Sequence, residues 1–415
     1  MSASKFAFHA TVQIWRHLLP RFLQKKLRKS ATQAILRHVV KLHGGPKGPH
    51  QEGPLMVAGF LNETFGIARA CVTTIMGFEA NSTPLIKQDL REWLGAHPFG
   101  TQALPQGATS GVLVLVCNAP EAMVALSRIK PDSLKRTYRI GYWVYELPQL
   151  PKDWITAASL FDELWAPTEF VADMLRPHHP NVRIVPYWTP AASPLSARPA
   201  ADAPFTVATA GDLRSSETRK NLRGAVQIFT TAFPSPSKAA RLRIKVGNSQ
   251  TDAASLDALV STIAQRDDIE LIDRDLDKAE MAAFIGHSDV YLSAHRAEGY
   301  GLVLAEAMRY GVTPLATGYS GNMDFMDDFP ELLIDCRLVP VRDPTGIYPE
   351  GDGLVWAEPD IADGARKLRT LFEQEELRAR LGEQCQRKIS QFNQAWTKEA
   401  FAQTEWFDLI KPNNR

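Results

Sequence analysis

Short apolar runs separated by helix-length segments constrain this chain more than any other feature. In the first half the runs are Pro54–Phe60, Gly111–Asn118, Thr137–Tyr145, Glu163–Ala166 and Val182–Pro186. In the second half they are Phe205–Ala210, Leu242–Val246, Ile269–Ile272, Asp289–Ser293 and Thr313–Ala316. Helical patterns fill the gaps, among them Asn221–Phe233, Ser255–Gln265, Lys278–Ile285 and Leu302–Tyr310. Strands joined through helices run parallel with right-handed crossovers, so each half reads as a doubly wound α/β sheet. At 415 residues the chain exceeds what one core usually serves. Trp188–Pro204, rich in Ala, Pro and Ser, is the expected linker between two Rossmann-like units, 54–195 and 204–385. Residues 386–415 form a helical tail with no strand left to feed, free to pack back on the first unit. In such sheets ligands bind beyond the carboxyl ends of strands, which places the site in the cleft between the units.

Charge sets the N-terminus apart. Ten Lys or Arg residues and no Asp or Glu precede Glu52, leaving 37 of 47 basic and all 46 acidic residues to the rest. Residues 1–50 therefore read as a basic arm and linker on an acidic body. Trp15, Leu18, Leu19, Phe22 and Leu23 fall on one helical face, interrupted by Pro20. A second helix is expected from Ser30, with Ser30 and Gln33 as a capping box, Ile35, Leu36, Val39 and Val40 as its stripe, and Gly44-Gly45 as its stop. Such an arm suits an anionic membrane surface, reached through residues 1–42; the alternative is a helix packed on the protein's own body. No stretch reaches the roughly 18–20 apolar residues of a membrane span, and no secretory signal pattern is visible. Cys71, Cys117, Cys336 and Cys385 are scattered, without a CxxC pair. A cytoplasmic protein, peripheral on the inner face of the membrane, is the expectation. The basic run has no aromatic platform and the body is acidic, which argues against nucleic-acid binding.

Chemistry concentrates in Ser293–Met326, SAHRAEGYGLVLAEAMRYGVTPLATGYSGNMDFM. The segment starts at a strand end. Gly299 and Gly301 allow close backbone approach to a ligand. The backbone of Gly299, Tyr300, Gly301 and Leu302 lies where a loop becomes a helix, and a helix N-terminus favours an anion such as phosphate. Glu298 and Glu306, eight apart, can each accept hydrogen bonds from paired hydroxyls, as sugars and ribose offer. The pattern suits a nucleotide sugar.

EGYGLVLAE, followed by EAM and GYSGNMDFM, resembles the donor motif of retaining family 4 glycosyltransferases of GT-B fold, the glycosyl transferases group 1 type that builds bacterial surface polysaccharide. GDLRSSETRKN (Gly211–Asn221) looks like that family's loop with a basic pair. GFLNETFGIARA (Gly59–Ala70) looks like its glycine loop, with Phe65 standing where a glycine usually precedes Gly66. GYWVYELPQLPKDW and ELWAPTEFVADML resemble its N-terminal domain, and CRLVPV with YPEGDGLVWAEPD its late insertion. The resemblance covers roughly 55–360. It implies that Glu298 contacts the transferred sugar, Glu306 the ribose, and Arg219 and Lys220 the diphosphate, with Gly66 letting the first domain close over the phosphates. It also implies transfer of a hexose to a glycan or lipid-linked acceptor with retention, the nucleotide sugar being a co-substrate, with no cofactor and no metal. A nucleotide-sugar epimerase and a non-catalytic membrane-surface scaffold are the competing functions. Outside the motif, Glu146 is a candidate for acceptor or donor contact. Asp273-Arg274-Asp275 mimics a metal-binding DxD but reads as surface. Tyr142, Trp143 and Tyr145 read as core, and His178-His179 as loop.

Overall fold

The computed structural model describes residues 34–44, 48–63, 65–95, 104, 108–192, 195 and 203–411. The first sheet comprises β1 (Leu55–Gly59), β2 (Leu85–Asp89), β3 (Ser110–Val116), β4 (Arg136–Tyr142), β5 (Glu163–Ala166) and β6 (Val182–Ile184), in the order β2-β1-β3-β4-β5-β6. The second comprises β7 (Phe205–Asp212), β8 (Ala240–Gly247), β9 (Ile269–Ile272), β10 (Val290–Ser293), β11 (Thr313–Thr317) and β12 (Leu333–Ile334), in the order β12-β11-β10-β7-β8-β9. Every pairing in both sheets is parallel. Helices cover both faces, so central strands are mostly buried; all five residues of β1, LMVAG, are buried. This is the two-unit GT-B arrangement that the sequence implies.

Strand order reverses between β1 and β3 in the first sheet and between β7 and β10 in the second. At such a switch the flanking loops diverge and leave a crevice. The loop after β7 carries Arg219 and Lys220, and the loop after β10 carries Glu298. Topology alone thus brings the basic pair to the first carboxylate.

Four strands were not expected: β2, the two-residue β12, β13 (Cys336–Pro340) and β14 (Val355–Pro359). β2 (LIKQD) is an edge strand with mixed exposure. An antiparallel hairpin of β13 and β14 stands outside both sheets. No break falls at 385, because the helix Glu375–Gln391 runs through it.

The C-terminal segment returns to the first unit. Trp396 is fully buried, its Nε1 donates to the Pro186 carbonyl at 2.7 Å, and its ring fills the space beside Gly77, where a Cβ would meet it at 2.4 Å. Asn393 and Thr189 exchange two hydrogen bonds of 2.8 Å. Phe78, Trp165, Trp396, Phe401 and Trp406 pack ring to ring, with Trp165 and Phe401 stacked at 6.2 Å. Each such side chain contributes on the order of 3 kcal/mol when buried. The last strand-like contact joins Gly53 to Ile410.

A helix over 34–43 lies on the first unit. Leu36 and Val39 are buried in its core cluster, and Ile35 and Val40 pack against it. The apolar stripe of this second helix therefore covers the protein's own body, and a bilayer cannot use it. The expected capping box and the Trp15–Leu23 face lie outside the described residues.

Candidate functional site

Arg219 and Lys220 end a single helical turn, Glu217–Lys220, held between two residues of positive φ, Ser216 (67°) and Asn221 (55°). Ser216 Oγ caps the turn by accepting from the Arg219 amide at 3.2 Å. Asn221 Nδ2 donates to the Ala294 carbonyl at 2.8 Å, and the Arg296 amide donates to the Arg219 carbonyl at 2.8 Å. These bonds tie the basic turn to the loop after β10. Non-glycine residues tolerate such backbone only where the surroundings over-determine it.

Glu298 sits where they meet. Lys220 Nζ is 2.6 Å from its Oε1, and Arg219 Nη1 is 3.3 Å from its Oε2. Its backbone is fixed by a bond from its amide to Ser320 Oγ (2.8 Å) and one from the Gly321 amide to its carbonyl (2.9 Å). Burial pushes the Glu298 carboxyl up, but Lys220 and then Arg219 outweigh it and hold its pKa at about 2. Arg219 is only 2% exposed. Burial disfavours its charge, yet Tyr348, Glu146 and Glu298 around it more than compensate, and it stays protonated. Its Nη1 also donates to the Ala297 carbonyl at 2.7 Å. A charge network this dry depends on every member keeping its partner.

Glu306 lies within the helix Leu302–Arg309. It pairs with Arg309 at 3.4 Å and, across the cleft, with Arg69 on the helix Gly66–Ala80 of the first unit. Sequence reasoning did not single out Arg69, although the glycine-loop stretch GIARA contains it. Gly66 opens that helix, and a Cβ there would meet nothing within 4 Å. Phe65 precedes it at φ −78°, extended backbone that needs no glycine, and Arg214 of the second unit lies over its ring at 5.9 Å.

The loop glycines have different reasons. Gly299 faces Val144 of the first unit, so a Cβ would lie 2.3 Å from Val144 Cγ2. Its carbonyl accepts from Thr168 Oγ1 across the cleft at 2.8 Å. Gly301 has φ +96°, which favours glycine. Tyr300 is directed inward, 3% exposed between Tyr187 and Phe325, and Leu302 packs half-buried against the same core. Neither side chain joins the charged cluster. His295 is buried, its ring nitrogens on Ser293 Oγ (3.0 Å) and Asn322 Oδ1 (3.1 Å), and burial lowers its pKa. It shapes the GYSGN turn as a neutral ring.

Glu146 reaches the cluster from the loop after β4. Its Oε1 is 3.6 Å from Arg219 Nη2, and its Oε2 accepts from the Tyr348 hydroxyl at 2.9 Å. Tyr348 belongs to the loop between β13 and β14, and its ring lies over the Arg219 guanidinium at 5.6 Å. Tyr348 was missed by sequence reasoning, though it stands in the YPEG stretch.

Away from the cluster, Arg274 pairs with Glu280 at 2.8 Å on the surface beyond β9, beside an open cavity of about 550 Å³. Tyr142 and Trp143 are core residues. His179 bonds to the Asn181 and Phe161 carbonyls within its loop. Among the described residues, no three His, Cys, Asp or Glu side chains are arranged to hold a metal ion. Among the same residues, no helix is long and apolar enough to cross a membrane.

Known proteins match this architecture. The chain resembles HepE of Anabaena, solved with UDP and glucose, at 11% identity and TM-score 0.56, over 85% of this chain and 100% of that one. It resembles a glycosyltransferase of Rickettsia africae at 9% identity and TM-score 0.58, over 86% and 98%. A point variant of S. aureus TarM, solved with Fondaparinux, alpha-GlcNAc-glycerol and UDP, aligns at 14% identity and TM-score 0.49; the match takes in 73% of this chain and spans only 55% of the longer TarM chain. The first two likenesses concern the fold. No curated protein sequence matches the chain. Residues 166–391, just over half of the chain, match the family described as family 4 glycosyltransferase in conflict systems. The matched span holds the basic turn, Glu298 and Glu306 together, and the chain belongs to this family of GT-B glycosyltransferases.

Proposed function

We propose that the chain moves a hexose from a nucleoside diphosphate sugar to a glycan or lipid-linked acceptor, with retention of configuration and without a metal. The observation that carries this reading is Glu298, ionised and buried between Arg219 and Lys220 at the crevice of the second sheet. A donor would divide that cluster. Its diphosphate takes up Lys220 and the edge of Arg219, freeing carboxylate oxygens of Glu298 to accept from sugar hydroxyls. Glu306, exchanging Arg69 for the ribose, accepts from its hydroxyl pair. As the bond from the anomeric carbon to the diphosphate oxygen breaks, negative charge grows on the leaving group. Fixed cations in a dry site stabilise that charge without reorganising. The acceptor oxygen bonds to the same face of the anomeric carbon, and its proton passes to the departing phosphate. No enzymic nucleophile is required.

The proposal extends to surface polysaccharide, lipopolysaccharide or glycolipid synthesis at the inner face of the cytoplasmic membrane, supported by the basic residues that precede Glu52. The test is nucleotide release without acceptor, across UDP-, GDP-, ADP- and dTDP-sugars. Slow hydrolysis of one donor, lost in Glu298→Ala and Arg219→Ala, is expected. No turnover, with no thermal stabilisation by any donor, would refute it.

A further inference from the structure

The donor groups Arg219, Lys220, Glu298 and Glu306 all stand on the second unit, so whatever attacks the sugar must be received by the facing wall. Glu146 is the carboxylate of that wall that reaches the charged cluster, 3.6 Å from Arg219. Its outer oxygen is already engaged by a hydroxyl, that of Tyr348 at 2.9 Å, and its side chain keeps 22% of its surface accessible.

Tyr348 does not come from the first unit. Its loop, 341–354, leaves the second unit, crosses the cleft and lies on the loop after β4. Gly353, at φ +75°, presses against Gln149, and Leu147 is buried with Val341, Tyr348 and Trp356. Asp343, 4% exposed, anchors the crossing. It accepts from the Tyr348 amide (2.9 Å), from Thr345 Oγ1 (2.7 Å) and from Ser216 Oγ (3.0 Å), the residue that caps the Arg219 turn. The loop is thus built onto the donor machinery, and its tip delivers one hydroxyl to one carboxylate.

We propose that Glu146 receives the attacking hydroxyl of the acceptor and that Tyr348 is its tethered stand-in, holding that place until the acceptor arrives. Glu146 is then a substrate-binding residue that orients the incoming oxygen, and Tyr348 a positioning residue that withholds Glu146 from water. A phenol and an acceptor alcohol offer the carboxylate the same O–H donor, so the exchange leaves the Glu146 carboxylate paired. This inference rests on the glycosyltransferase reading above.

The two roles predict opposite signs. In the full-length protein, Tyr348→Phe keeps the ring over Arg219 and removes only the hydroxyl. Nucleotide release from the preferred donor, in water and with glycerol as probe alcohol, should rise about fivefold, the effect of about 1 kcal/mol for one net hydrogen bond. Glu146→Ala should lower both rates about a hundredfold or more, the low end for a positioned group, with the donor KM moving less than twofold. A pair serving only to brace the fold would move both variants in the same direction, and that result overturns the proposal. Amide exchange of 341–354, measured without substrate, should quicken about fivefold in Tyr348→Phe; unchanged exchange also overturns it. Wild-type silence toward every donor would instead sink the transferase reading on which the inference stands.

Discussion

Replacing Glu298 with Gln keeps the shape of the side chain and removes its charge. The structure sets the size of the effect. Lys220 and Arg219 hold the carboxyl at about 2, against its ordinary 4.5. Each tenfold in proton affinity is about 1.4 kcal/mol, so the ionised form contributes about 3 kcal/mol to folding at neutral pH. That contribution is complete above about pH 4.5 and is lost as the pH falls toward 2. By pH 3.5 over about 1 kcal/mol of it should be gone. Urea unfolding of wild type and Glu298→Gln at pH 7 and pH 3.5 measures both quantities. The gap should be about 3 kcal/mol at pH 7 and clearly smaller at pH 3.5. Donor hydrolysis should fall at least a hundredfold in the variant, the range seen when a transition-state contact is removed. A gap below about 1 kcal/mol at pH 7, or one equal at the two pH values, would refute the argument that the cations act through this carboxylate.

Two further outcomes test the cleft. With the nucleoside diphosphate released from the preferred donor as ligand, Glu306→Ala should weaken binding at least tenfold, while Arg69→Ala should tighten it, because Glu306 no longer has to give up its partner across the cleft. Equal weakening in titration calorimetry would mean that Arg69 holds the nucleotide instead. Asp324 accepts from the Glu169 amide across the cleft at 2.8 Å. Burial, helped by Glu169, Asp327 and Asp173, raises its pKa to about 6 against the opposing pull of that amide. A raised carboxyl favours the fold below about pH 3.8 and loses that advantage as the pH climbs through 6, by up to about 3 kcal/mol. Asp324→Asn should therefore be more stable than wild type at pH 7.5 and no different near pH 3.5; equal melting at both would remove Asp324 as the cause.

The central strands were legible because parallel strands covered on both faces read as continuous apolar runs, as β1, β3 and β7 do. β2 escaped because an edge strand needs only one covered side, and its Lys87 and Gln88 broke the pattern. β13 and β14 pair only with each other, and three of the five residues of β13 are exposed, so no core signal marked them. Within the site, the residues of one contiguous stretch, Glu298, Gly299, Gly301 and Glu306, could be read together. The basic pair that meets Glu298 was legible in its own motif, but several other long-range pairs were not. Arg69 lies 237 positions from Glu306, Tyr348 lies 202 from Glu146, and Asp343 lies 127 from Ser216. Such pairs are set by the tertiary arrangement of distant segments, which no local period encodes. Tyr300 shows the converse: inside the motif, its side chain serves the core.

The aromatic packing of the C-terminal segment against the first unit has a consequence for synthesis. Phe78 and Trp165 are made early, but the rings that cover them, Trp396, Phe401 and Trp406, come about 230 residues after Trp165. At the usual pace of translation the first unit waits roughly 10–50 s with that face bare. During that interval the nascent chain offers a sticky aromatic surface on an otherwise finished sheet. Whatever shields it in the cell must release it before the last residues arrive.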